Sequence, residues 1–189
     1  MIVGLVGLKQ SGKTTIADYL VSKYNFVQLS FADNLKKACQ IIFHFTDNQV
    51  NGDEKEIIDQ RWGKTPRQIL QYVGTNLFRD NFDSQIWIKS LALSIDQMVK
   101  QNINIVIADV RFLNEAKFIQ SYDNSYLIRV ERELCNSSSD THASELENKM
   151  IDCDYEIKNN KSLTELYKNV QKLYQELLVD EIKSNSDKY

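Results

Sequence analysis

The chain has 189 residues, long enough for one domain with a substantial core, and 42% hydrophobic with 26% charged residues is ordinary for a globular protein. Its 23 Lys and Arg against 26 Asp and Glu leave a net charge of −3, which offers no electrostatic case for a nucleic-acid polymer as partner. No apolar run reaches membrane-span length, so no membrane partner is expected; the N-terminus lacks the basic region of a signal peptide, and a cytoplasmic setting follows.

Taken in chain order, the apolar run Ile2-Val3-Gly4-Leu5-Val6 reads as a short buried strand. Gly7-Leu8-Lys9-Gln10-Ser11-Gly12-Lys13-Thr14 follows and fits G-x-x-x-x-G-K-[ST], the phosphate-binding loop of nucleoside-triphosphate enzymes. Glycines there allow close backbone approach, and the exposed amides and helix N-terminus point at phosphate oxygens. Lys13 can reach the β- and γ-phosphates and Thr14 can ligate Mg²⁺. Thr15 opens a helix whose Ile16, Tyr19 and Leu20 share a face.

Phe26 to Phe31 reads as a second strand, Ala32-Asp33-Asn34 as a polar turn with Asp33 or Asn34 capping a helix through Leu35, Ala38, Cys39, Ile42 and Phe43. Thr46 to Gly63 is polar and broken by Asn51-Gly52-Asp53; it is expected to be mobile, with one helical turn near Glu56 to Arg61. Thr65-Pro66-Arg67-Gln68 is a helix start with a capping box and proline at the first position, and Ile69, Leu70, Val73 and Leu77 mark its buried face. Ser84 to Val99 is a further helix. Asn104 to Val110 is a continuous apolar strand carrying Asp109, Glu115 to Ile119 a short helix, and Tyr126 to Val130 a fourth strand. Cys135 to Asp140 reads as a flexible loop, Ala143 to Met150 is compatible with a helix, and Tyr155-Glu156-Ile157 is a weak fifth strand. Ser162 and Glu165 form a second capping box before an amphipathic helix through Leu177. The three cysteines, Cys39, Cys135 and Cys153, are too far apart for a metal cluster or a disulfide framework.

Strands alternating with helices imply an α/β fold: a parallel five-stranded sheet flanked by helices on both faces. Ligands in such folds sit beyond the carboxyl ends of the strands. Those ends carry Gly7 to Thr14, Ala32-Asp33, Asp109-Val110-Arg111, Arg132 and Asn159-Asn160. A switch GTPase is excluded, since Asp109 is followed by Val110, Arg111 and Phe112 rather than D-x-x-G; Asn160-Lys161-Ser162-Leu163 also lacks the aspartate of N-K-x-D. A small kinase remains, with Arg67, Arg79, Arg111 and Arg132 as candidates for stabilising developing charge.

At these residues the chain resembles the phage and viral deoxynucleoside monophosphate kinases. Thr65 to Thr75, with Arg79-Asp80 and Trp87, looks like that family's acceptor-binding region. Asp109-Val110-Arg111-Phe112-Leu113-Asn114-Glu115-Ala116 resembles its D-V-R-F-x-N-E-A segment, and His142-Ala143-Ser144-Glu145 its H-x-S-E segment. The polar stretch 183–189 is expected to be a frayed tail, and the resemblance implies one kinase domain over 1–182, with an acceptor-binding helical region about 33–100 and a lid about 132–150. It implies ATP with Mg²⁺ as donor and a small-molecule nucleotide, a deoxynucleoside 5′-monophosphate, as acceptor; it allows a homodimer. Lys9, Gln10, Ser11, Gly12, Lys13, Thr14, Thr15 and Asn159 would bind ATP. Lys13, Asp109, Arg111 and Arg132 would be catalytic, with Thr14 and Asp109 at the metal. Asp33, Lys36, Arg67, Gln71, Gly74, Thr75, Arg79, Trp87, Asn114 and Glu115 would serve the acceptor side.

Several of these have a plainer alternative. Trp87 is a base-stacking ring or a core aromatic, Asn114 and Glu115 orient Arg111 or are a helix cap and a solvated acid, and Asn159-Asn160 contacts adenine or forms a turn. His142 reads as a surface or lid-packing residue, since the acceptor is already an anion and needs no strong base. The G-K-G-T of adenylate kinases and the D-R-Y segment of thymidylate kinases are absent; Lys13 is followed by Thr14-Thr15, and Phe78-Arg79-Asp80 is reversed. Rival readings are a phosphomevalonate-kinase-like enzyme and a nucleotide-binding module without transfer activity. If the source is viral, the setting is host cytoplasm.

Overall fold

The side chains of Ile2-Val3-Gly4-Leu5-Val6 offer nothing to water, and the segment forms β1 (Ile2–Val6), buried at every position in the middle of a sheet. β2 (Val27–Leu29), β3 (Ile105–Val110), β4 (Ser125–Glu131) and β5 (Tyr155–Lys158) complete it in the order β2-β3-β1-β4-β5. Every pairing is parallel, as the apolar runs anticipate. The computed structural model describes residues 1–133 and 143–186, with backbone only at 143–146 and 184–186. The loop 135–140, His142, the side chains of the H-x-S-E segment beyond it, and the last three residues of the tail lie outside the described part.

The chain divides into two compact units: Met1–Leu29 with Gln97–Tyr189, and Ser30–Asp96. In the first unit, α1 (Lys13–Tyr24) and α8 (Leu163–Ser186) cover one face of the sheet. Ile16, Ala17 and Leu20 of α1 and Leu166, Val170, Leu173 and Leu177 of α8 pack on Val3, Leu5, Val106, Ile128, Val130 and Ile157. Two stacked tyrosine pairs bind the helices: Tyr19 with Tyr167 (centroids 4.3 Å apart) and Tyr24 with Tyr174 (4.0 Å). Gly4 and Leu127, of opposite parity, and Val110, which lies past a register shift in the β1–β3 pairing, meet Ile119 of α6 (Leu113–Gln120) on the other face, and α6 packs against α7 (Ala143–Met150). Ser162 Oγ accepts from Glu165 N at 3.3 Å at the start of α8. No helix of the described residues is long and apolar enough to cross a membrane.

The second unit holds α2 (Asp33–Phe43), α3 (Asp47–Asn51) and α4 (Pro66–Gln71) around Leu35, Cys39, Phe45, Val50, Ile69 and Val73. α5 (Ile86–Lys100) begins in this unit and ends in the first. The Thr65–Gln68 capping box forms as read, with Thr65 Oγ1 accepting from Gln68 N at 3.2 Å and Gln68 Oε1 from Thr65 N at 3.0 Å.

Four details differ from the sequence reading. β2 is shorter than Phe26 to Phe31, because Ser30 N already donates to Asp33 Oδ2 at 3.1 Å. Asp33 is therefore the first residue of α2, turned back on the preceding loop, and Ala32 occupies the cap position without a side-chain cap. The Thr46 to Gly63 stretch carries α3 with its own Thr46–Gln49 capping box and a 3₁₀ turn at Asp53–Glu56, not at Glu56 to Arg61. Its second half is tied down: Trp62 Nε1 donates to Phe43 O at 3.3 Å, and buried Asp59 accepts from Arg61 and from Gln49 Nε2 at 2.9 Å. Finally, Leu77 is 47% exposed because Tyr72–Asp80 winds as a π-helix, whose wider turns break the 3.6-residue spacing.

Candidate functional site: a phosphate-binding loop and its pocket

The site begins with strand register. Val6 pairs with Val110 on one side and Arg129 on the other, so β1 and β3 end level and β4 runs two residues further, to Glu131. The chain leaves them at Gly7, Arg111 and Arg132, all on one edge of the first unit. Gly7 turns at φ +150°, and a Cβ there would lie 2.4 Å from Val130 O. Gly12, at φ +107°, has Asn159 Nδ2 2.4 Å from where its Cβ would be. Both positions thus require glycine for conformation and for space. Gln10 adds a left-handed φ of +65°.

Lys13 folds back over this loop, its Nζ donating to Gly7 O at 2.6 Å and Leu8 O at 2.7 Å. The ammonium is thereby held above the cradle of amides where phosphate charge would sit. From β5, Asn159 donates to Ser11 O at 2.8 Å and props the loop from below. Ser11 is buried, and its hydroxyl has no hydrogen-bond partner among the described residues.

Beside the loop lies a pocket of about 350 Å³. Gln10, Gly12, Lys13, Thr14 and Thr15 form one side, Arg132, Asn159 and Lys161 the polar wall, and Leu163 and Leu166 an apolar end. Six of the eight ATP-side candidates therefore line one cavity. Lys9 is exposed outside it, and Ser11 lies beneath, in a second cavity of about 280 Å³ shared with Arg129, Asn148 and Lys149. Lys161, Leu163 and Leu166 were not among the sequence candidates. Both leucines belong to the amphipathic helix α8, where Leu166 is buried but Leu163 is 53% exposed. Their place just after the β5 end, at the first turn of a helix, was the available signal. Arg132 reaches the loop, Nη1 to Gln10 O at 3.4 Å.

Across β1, the Asp109 strand end continues into a tight turn. Glu115 is buried, and its Oε2 accepts from Arg111 N at 2.9 Å and Phe112 N at 3.1 Å. It is a cap of α6 rather than a solvated acid, and it holds Arg111 through the backbone. Asn114 Oδ1 accepts from Glu115 N at 3.1 Å, and the Arg111 side chain is exposed.

The acceptor-side candidates other than Asn114 and Glu115 lie in the second unit. Asp33 is engaged with Ser30 N, and Lys36 follows on α2. Arg67 Nε donates to Glu56 Oε1 at 2.5 Å. Arg67 and Gln71 share a face of α4, while Gly74, Thr75 and Arg79 ride on the π-wound segment, a local geometry frequent at functional sites. Trp87 Nε1 donates to Gly74 O at 2.9 Å, and its ring sits edge-on to Phe78 at 5.7 Å beside the apolar cluster. Burial pushes the Cys39 thiol up to about 11, so it is no nucleophile.

Comparison with known proteins places this geometry in a family. The deoxynucleotide monophosphate kinase family matches residues 48–170, a span that omits the phosphate-binding loop. The chain is 41% identical over 188 residues, 90% of its length and 94% of the relative's, to a protein of Acanthamoeba polyphaga mimivirus provisionally named a deoxynucleotide monophosphate kinase. The deoxynucleotide monophosphate kinase of Enterobacteria phage T4 is 23% identical over 235 residues, covering 90% of this chain and 97% of that one. In fold, the chain is similar to shikimate kinase from Aquifex aeolicus (TM-score 0.54, 17% identity, 95% and 99% of the two chains). It is equally similar to dephospho-CoA kinase from Campylobacter jejuni (TM-score 0.54, 16% identity, 93% and 96%). With a family match over more than half its length and a 41% identical relative, the chain belongs to the deoxynucleotide monophosphate kinase family.

Proposed function

We propose that this protein transfers the γ-phosphoryl group of ATP to a deoxynucleoside 5′-monophosphate, giving ADP and a deoxynucleoside diphosphate. The observation that carries the reading is the glycine cradle closed by Lys13 beside a pocket of about 350 Å³, in a chain of this family. Phosphoryl transfer asks little covalent chemistry of the protein, so positioning and electrostatics supply the rate. The loop amides and Lys13 hold the β- and γ-phosphates. Thr14, Thr15, Asn159 and Lys161 border the rest of the donor, with Leu163 and Leu166 offering an apolar surface to its base. Arg111 and Arg132 stabilise charge as it develops on the transferring group.

Thr14, at the start of the helix after β1, and Asp109, near the end of the adjacent β3, supply hard oxygen donors and fit Mg²⁺, which takes one or two protein oxygens plus substrate phosphates. Held there, Mg²⁺ would supply neutralisation of the phosphate charge during transfer. Asp33, Lys36, Arg67, Gln71, Gly74, Thr75 and Arg79 form the acceptor side, and Trp87 supports it through its bond to Gly74 O. Arg67 and Arg79 pair with its phosphate.

The test is ADP formation from ATP and Mg²⁺ with each deoxynucleoside and ribonucleoside monophosphate in turn, beside Lys13→Ala. Turnover with deoxynucleotides that disappears in Lys13→Ala is the expected result. Absence of turnover with every nucleotide would refute the reading.

A further inference from the structure

The turn between β3 and α6 carries Arg111 and directly follows Asp109, and side chains hold its backbone at every step. Val110 O accepts from Asn148 Nδ2 at 3.1 Å. Arg111 N and Phe112 N donate to Glu115. Leu113 N donates to Glu147 Oε2 at 3.1 Å. Two of these holds, the first and the last, come from α7, which is 34 or more residues away in sequence.

α7 is itself anchored. The Arg129 guanidinium, rising from β4, donates to Asn148 O at 3.4 Å and also to Ile151 O. Asn148 is 2% exposed, so its amide is committed inside the protein rather than to water. A buried asparagine costs free energy unless its polar atoms are satisfied. A leucine would fill the space more cheaply if filling were all that mattered.

We infer that Asn148 and Glu147 are positioning residues for phosphoryl transfer: they fix the Val110–Leu113 turn from α7 and thereby set where Asp109 and Arg111 stand. The inference rests on the proposed roles of Asp109 and Arg111. Neither Asn148 nor Glu147 needs to touch a substrate. A displacement of about 1 Å in a positioned group can cost about 10²-fold in rate, so small slack in this turn is enough to matter.

The test compares Asn148→Leu, Glu147→Leu and Glu147→Gln with wild type and Arg111→Ala, all well below their melting temperatures. Asn148→Leu keeps the branched shape in a somewhat larger side chain and deletes the donor; Glu147→Leu deletes the acceptor, and Glu147→Gln restores one. The two leucine variants are expected to lose about 10- to 100-fold in kcat, with KM for ATP within about threefold of wild type. Hydrogen exchange at the amides of Arg111, Phe112 and Leu113 should accelerate in both, and Glu147→Gln should restore kcat and protection. If Asn148→Leu does not fold, the Glu147 pair decides. Unchanged kcat with only a lower melting temperature, or faster exchange with unchanged kcat, would overturn the inference. Unchanged kcat in Arg111→Ala would instead overturn the role assigned to Arg111, and the inference with it.

Discussion

Asn159 Nδ2 bonds to Ser11 O at 2.8 Å and stands 2.4 Å from where a Cβ on Gly12 would lie. One side chain thus supports the loop and crowds any larger residue at its second glycine, where it must give way or break its bond to Ser11. Gly12→Ala adds this clash to a left-handed backbone, which costs about 1–3 kcal/mol in a residue with a Cβ. ATP affinity should fall at least about tenfold, since 1.4 kcal/mol is a factor of ten. Asn159→Ala alone loses one hydrogen bond, worth about 1 kcal/mol, or about fivefold in ATP affinity. The double variant should bind ATP better than the sum of the two losses predicts, because removing Nδ2 relieves the clash. Calorimetric titration with ATP of all four proteins checks this; strict additivity would mean that the loop moves freely of Asn159.

Arg132 reaches Gln10 O only at 3.4 Å, a weak bond that leaves its charge available beside the phosphate-binding loop. Arg132→Ala should therefore leave melting temperature and KM for ATP near wild type. Its kcat should fall by about 10³-fold, the lower range for a charge-stabilising arginine. Steady-state kinetics separates the two; a raised KM with normal kcat would make Arg132 a wall of the ATP pocket only.

Asp59 is a titrating element of the second unit. Its hydrogen bonds from the Arg61 side chain, then from Gln49 and Arg61 N, hold the carboxyl well below the ordinary value of 3.8. A carboxyl lowered in the folded state adds stability above its unfolded value and loses it as pH falls toward the folded one. The wild type should therefore lose stability below about pH 4, while Asp59→Asn should be less stable at pH 7 and flatter on the acid side. Thermal melts from pH 7 to 3 report this, and parallel curves for the two proteins would contradict it.

Trp87 donates to Gly74 O, so Trp87→Phe removes a half-buried bond while keeping an aromatic ring. It should cost about 1 kcal/mol of stability and change KM for the acceptor little. A tenfold rise in acceptor KM without a change in melting temperature would instead identify Trp87 as a ring that stacks on the base.

The parts legible in the sequence share a physical trait: their signals are local. The β1 run, the phosphate-binding loop and the Thr65–Gln68 cap each need only neighbours within a few residues, and each forms as read. The α3 cap at Thr46–Gln49 was equally local, but the polar composition around Asn51-Gly52 obscured it. Leu77 and the π-wound segment were not legible, because 3.6-residue spacing presumes ordinary α-helical winding.

The sequence by itself determined the fold class, the phosphate-binding loop and the family resemblance, because these rest on periodicity, glycine spacing and residue identity. Only the tertiary structure decided that Asn159 props the loop and that Lys161 and Leu163 border the pocket beside it. It also decided that Glu115 is buried as a cap and that Asn148 reaches Val110. These relationships join residues as many as 148 positions apart, or depend on which side of a helix meets the sheet. Such encounters arise when parallel strands align their ends, and no spacing along the chain encodes them.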